Sequence, residues 1–102
     1  MITIVAKLTA VEGKADALRA ALTEMVGNVK KNESGPVACY SLHTSDTDPN
    51  LFLFYEQDAN DAAVEAHGKT DHMRAMGLAM RDQGLTAARP VVERYTQIAG
   101  IN

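Results

Sequence analysis

Apolar and polar residues alternate along the first nine positions. Ile2, Ile4, Ala6 and Leu8 share one face, and Thr3, Val5, Lys7 and Thr9 share the other, which predicts a strand over 1–9. Gly13 marks a turn. From Lys14 to Lys31 the period changes: Leu18, Leu22, Met25 and Val29 recur at steps of four, three and four, with Arg19, Thr23 and Lys30 facing water. That is the stripe of an amphipathic helix. Asn32-Glu-Ser-Gly35-Pro36 ends it, because a Gly-Pro pair does not continue a helix. Val37–Thr44 and the aromatic-rich Leu51–Glu56 read as two more strands. The turn formers Ser45 to Asn50 lie between them, so the two pair as an antiparallel hairpin. Asn60 or Asp61 caps a short helix reaching about His67, and Gly68 interrupts it. Thr70 is the N-cap of a further helix, with Asp71 in its first turn and Met73, Met76 and Met80 on one face, stopping near Gly84. Pro90 precedes a last strand over 91–98.

The order β-α-β-β-α(α)-β predicts an α+β, ferredoxin-like split βαβ plan: a four-stranded antiparallel sheet with its helices on one face. The other face stays open, yet both faces carry apolar residues, Phe52 and Phe54 on one and Leu53 and Tyr55 on the other. Small proteins seldom expose that much apolar sheet, so a second copy is expected to cover it. At 102 residues the chain reads as a single domain over 1–102 with a small core.

Composition narrows the function. The net charge of −3 leaves no basic stripe to neutralise phosphates, so a nucleic-acid partner and an anionic membrane surface are both disfavoured. The one cysteine, Cys39, cannot make an internal disulfide and suits a reducing, cytoplasmic setting. No basic leader followed by a long apolar run is present, so neither a secretory signal nor a membrane span is expected. Gly-rich phosphate loops and serine nucleophile elbows are absent.

The chemistry-bearing residues gather between Tyr40 and His72. All three histidines, His43, His67 and His72, lie there. His67 follows Ala63 and Val64 by four and three residues, which places it on the apolar side of its helix. An imidazole titrating at about 6.5 takes a phenolic proton near neutral pH. His67 also reads as a helix-end residue that carries little packing. His72 opens the following helix, where the dipole favours a neutral donor. On the second strand, either Tyr40 or His43 points to the helices, and the pattern does not choose between them. Glu56 orients a histidine, accepts a substrate hydroxyl, or pairs with Arg74, Arg81 or Arg94. Phe52 and Phe54 supply a facing aromatic strand. Met76 and Met80, with Met73, have core spacing and would also make an adaptable wall for an aromatic ligand. His67 and His72 are not a helical i, i+4 pair and no further spacing completes a metal set, so no metal is expected. Cys39 reads as a small apolar filler.

Together, Glu12-Gly13-Lys14, Tyr40-Ser-Leu-His43, Asp48-Pro49, Phe52-x-Phe54-Tyr55-Glu56, and His67 followed by His72 resemble the antibiotic biosynthesis monooxygenase domain family, in its quinol monooxygenase branch. The resemblance implies a homodimeric α+β barrel with a pocket between each sheet and its own helices. It implies oxidation of a small phenol or hydroquinone by molecular oxygen without metal or flavin, with His67 and His72 catalytic. Other activities occur on this fold and some members have no established activity, so the alternatives are a non-catalytic dimeric binder of a small hydrophobic ligand, or an isomerase of a small carbonyl compound. One departure is visible: relatives often carry a tryptophan two residues after the strand glutamate, where this chain has Asp58 and no tryptophan anywhere. Haem degradation, which needs such a tryptophan and an axial histidine near the position of Met76, is disfavoured.

Overall fold

The computed structural model describes residues 1–101. Its elements run β1 (Ile2–Thr9), α1 (Ala15–Asn32), β2 (Val37–Thr44), β3 (Leu51–Asp58), α2 (Asp61–Gly68), α3 (Asp71–Asp82) and β4 (Val91–Thr96). The four strands form one antiparallel sheet in the order β2-β3-β1-β4, the ferredoxin-like α+β arrangement. β3 runs two residues past Glu56, because Ile2 pairs with Asp58 and keeps the ladder closed to the end of β1. β4 stops at Thr96 and α3 at Asp82, each short of the predicted end. After α3, Gly84 takes φ +61, a left-handed turn that suits glycine.

Period-2 alternation sets which side chains meet the helices. Leu8, Phe52 and Phe54 are buried on the helix-facing side. Leu18, Leu22, Met25 and Val29 of α1 complete the core, and all four are 2% exposed or less. α1 packs on α3 and β2, and α2 packs on α3 and β3. Asn60 caps α2 by accepting from the Ala63 N–H, and Thr70 caps α3 by accepting from the Met73 N–H. The open face keeps apolar groups in contact with water: Tyr55 is 36% exposed, Tyr95 51% and Val91 59%. Among the described residues, no helix is long and apolar enough to cross a membrane.

Candidate active site

Glu33 is the hub, and nothing in the local pattern marks it. It caps α1 at its C-terminus, donating its backbone N–H to the Val29 carbonyl and accepting from the Val37 N–H. Both backbone groups are therefore fixed, and the side chain turns inward to 8% exposure. There it meets two imidazoles. His67 Nδ1 lies 3.0 and 3.1 Å from the two carboxylate oxygens, and His72 Nε2 lies 2.5 Å from Oε2. A carboxylate only accepts, so these two ring nitrogens carry the protons. The tight link between α2 and α3 brings the rings together: Thr70 Oγ1 donates to the His67 carbonyl at 2.9 Å while capping α3.

With Nδ1–H committed to Glu33, the Nε2 lone pair of a neutral His67 is free. It faces Glu56 Oε1 at 3.6 Å, too far for a hydrogen bond. His67 itself is 6% exposed, so its burial overturns the reading of a helix-end residue with little packing. Tyr40 stacks on Phe54 with ring centroids 4.7 Å apart and tilts against the His67 ring at 5.3 Å. Burial, then the charges of Glu56, Glu33 and Asp58, push the Tyr40 hydroxyl far above its ordinary range, so it stays protonated and serves as a donor. Burial, then the neighbouring carboxyl of Asp58 and the charge of Glu33, raise the Glu56 carboxyl to about 9. These causes all favour the neutral acid at Glu56.

These groups reach a cavity of about 710 Å³ between the sheet and its helices. Ile4, Ala6 and Leu8 of β1 and Phe54 line the sheet side, and Met73, Met76 and Met80 line the α3 side. Tyr40, Glu56 and His67 are the polar side chains of its catalytic-type cluster, and Arg81 and Arg89 also line it. A mostly apolar volume with a few converging polar groups suits a small organic molecule.

Not every expected residue arrives there. Of Tyr40 and His43, it is Tyr40 that lines the cavity; His43 lies on the open face, exposed, with Nε2 2.9 Å from Ser41 Oγ. A register shift between Val37 and Cys39 sets this choice, because it keeps both Val37 and Tyr40 on the helix side. Phe52 is 1% exposed and packs in the core beside Leu18 and Leu22, away from the cavity lining. His72 does not line the cavity either; its Nε2 meets Glu33. Glu56 makes no ion pair with Arg74, Arg81 or Arg94, and Arg94 pairs instead with Asp61. Asp58, completely buried beside Glu56, joins the cluster. Among the described residues, no group of three or more His, Cys, Asp or Glu is arranged to hold a metal ion.

Comparison with known proteins bears on what such a site does. The antibiotic biosynthesis monooxygenase family matches residues 1–77. No curated protein matches the chain. A Caulobacter crescentus structure named a putative antibiotic biosynthesis monooxygenase is 30% identical, with TM-score 0.87 over 96% of this chain and 90% of that one. A Pseudomonas aeruginosa protein is 28% identical, with TM-score 0.85 over 96% and 94%. A Deinococcus radiodurans structure named as the Caulobacter one is superposes with TM-score 0.87 over 100% and 97%, and at 19% identity that likeness shows the fold alone.

Proposed function

The chain belongs to the antibiotic biosynthesis monooxygenase family, and from that premise we propose that it oxidises a small phenol or hydroquinone with molecular oxygen, using no metal or organic cofactor. The observation that carries this reading is the orientation of His67. Glu33 holds its Nδ1–H, so the basic Nε2 is presented to an apolar cavity. Nε2 takes the phenolic proton, and the carboxylate behind the ring stabilises the imidazolium that forms. The phenolate is electron-rich enough to reduce oxygen directly. Tyr40 donates to a substrate oxygen, and the methionine wall holds the ring and excludes water. In this scheme His72 is a positioning residue: it donates to Glu33 and fixes the carboxylate that fixes His67.

We also propose a cytoplasmic homodimer. The exposed Tyr55, Tyr95 and Val91 on the open face support it, since a second copy would remove them from water.

Oxygen uptake with a panel of hydroquinones tests the function. Wild type should consume oxygen, and His67→Ala should lower turnover by about two orders of magnitude while still binding the quinone product. Binding with no uptake above buffer in wild type would instead identify a ligand-binding protein. Equal turnover in wild type and His67→Ala removes the histidine from the chemistry.

A further inference from the structure

Three carboxyl groups are buried in one cluster, Glu33, Glu56 and Asp58 at 8%, 5% and 0% exposure. The two imidazoles beside them, His67 and His72, both give their N–H groups to Glu33. Asp58 is left with two buried carboxyl oxygens and no donor for either. Among the described residues no lysine or arginine is paired with Glu56 or Asp58, and Arg94, on the same side of the sheet, is taken by Asp61. Glu56 is two residues from Asp58 on β3, so period-2 alternation puts both carboxyls on the helix-facing side. A buried carboxylate without a donor is strongly disfavoured. The neighbour able to relieve it is a Glu56 that carries a proton.

We propose that Glu56 and Asp58 hold one proton between them, and that Glu56 delivers it into the cavity as the general acid of the oxygenation, with Asp58 as the positioning residue that retains it. The delivery step rests on the monooxygenase reading above; the shared proton does not. The groups facing Glu56 are Asp58, Glu33, His67 and Tyr40. Of these, the two acids favour its neutral form, as does its burial.

The chemistry needs an acid at this place. His67 takes a phenolic proton from a hydroquinone. The anion passes an electron to dioxygen, and the radical pair combines at a ring carbon that bears hydrogen. A carbon–oxygen bond forms, the phenolate becomes a ketone, and the terminal oxygen carries the negative charge. Glu56 gives its proton to that oxygen, making a hydroperoxide. The Glu56 carboxylate then removes the hydrogen on the same carbon as a proton. The electron pair of that C–H bond forms a carbonyl as the oxygen–oxygen bond breaks. The departing hydroxide takes the proton held on His67 and leaves as water. One hydroquinone and one dioxygen give one hydroxyquinone and one water, and both residues return to their starting states.

Infrared difference spectroscopy across a pH titration reads the proton without turnover. Wild type should show a protonated-carboxyl C=O band at pH 7 that disappears near pH 9. The band should be missing in Glu56→Gln, and in Asp58→Asn it should be lost at least one pH unit lower, because the main partner of the proton is gone. Steady-state oxygen uptake reads the delivery step. Glu56→Gln should lose about 100-fold in kcat while binding the quinone product within about threefold of wild type. Asp58→Asn should move the alkaline limb of the pH–rate profile to lower pH, which a merely structural residue would not do. A wild type without the band at neutral pH, or a band unchanged by both substitutions, overturns the shared proton, and wild type alone suffices for the first result if a variant fails to fold. A kcat within threefold of wild type in Glu56→Gln overturns the delivery. The band with no oxygen uptake on any hydroquinone removes the monooxygenase reading and the delivery with it, and leaves the shared proton standing.

Discussion

Replacing Glu56 by glutamine should change how stability depends on pH, in a direction and by an amount that follow from one proton. The carboxyl moves from an ordinary value of 4.5 to about 9 on folding. Between those values the native protein holds a proton that the unfolded chain has released. Stability therefore falls as pH rises: the contribution is fully present below 4.5 and is lost progressively until about 9. One proton gives a slope of about 1.4 kcal/mol per pH unit, or roughly 2.7 kcal/mol between pH 6 and pH 8. Glutamine has the same shape, offers an N–H to Asp58, and takes up no proton. The measurement is urea unfolding of both proteins at pH 6, 7 and 8 and one fixed protein concentration, because an oligomer's stability varies with concentration. The two proteins differ at residue 56 alone, so the difference between the two curves isolates the acid pair. The variant should gain on wild type by up to the stated amount from pH 6 to 8. A difference that stays constant over that range refutes the argument, since Glu56 would then be ionised in the native state throughout.

Three further outcomes are expected. Glu33→Ala leaves the buried His67 Nδ1–H and the half-buried His72 Nε2–H without their acceptor and should cost roughly 3 kcal/mol at pH 7, measured by denaturant unfolding, and lower turnover as His67 loses its orientation. Leu22→Ala, at a fully buried position in α1, should cost about 2–5 kcal/mol with no change in the pH–rate profile; a cost below about 1 kcal/mol would show that the α1 core is not packed as described. Sedimentation of wild type at micromolar concentration should give a dimer, and Tyr55→Glu combined with Tyr95→Glu should shift it to monomer; a stable folded wild-type monomer would refute the covered sheet face.

The fold was legible because its signals are local and mutually consistent. The spacing of Leu18, Leu22, Met25 and Val29 marks one helical stripe, and all four are buried. The turn formers between Thr44 and Leu51 do connect paired strands, and Thr70 does cap α3. The site was legible only in part. Tyr40, Phe54, Glu56, His67, Met76 and Met80 do border one cavity, but the residue that organises them does not announce itself. Glu33 sits in the polar run Asn32-Glu-Ser-Gly-Pro, which reads as a helix end in water. Its burial comes from His67, 34 residues away, and His72, 39 residues away, and no local pattern encodes contacts of that range. Asp58 did leave a trace. Continued past Glu56, the alternation Phe52, Phe54, Glu56 puts an acid in the helix-facing register, which is informative because charged residues rarely occupy such positions unpaired. His43 and Tyr40 differ by three positions on one strand. Their faces were settled by an irregular pairing near Val37, a tertiary feature that period-2 counting does not contain.

The protonation of Glu56 also sets the charge that His67 and a phenolate meet in front of the base. In the proposed reaction, His67 creates a phenolate within reach of Glu56, whose Oε1 is 3.6 Å from the accepting nitrogen. If Glu56 were ionised, a second negative charge at about 4 Å would oppose that anion by about 4 kcal/mol in a moderately polar interior, an opposition offset by its attraction for the imidazolium at Nε2. Glu33 does not impose the same penalty, because its charge faces the Nδ1 side and stabilises the imidazolium that forms. A single cluster thus needs one carboxyl charged behind the base and another neutral in front of it. Asp58 supplies the asymmetry. Buried without a donor, it favours a proton on its neighbour at the edge of the cavity, while Glu33 is held by two N–H groups as an acceptor. Exchanging Asp58 for a residue that neither needs nor retains a proton should therefore weaken deprotonation at alkaline pH before it weakens binding.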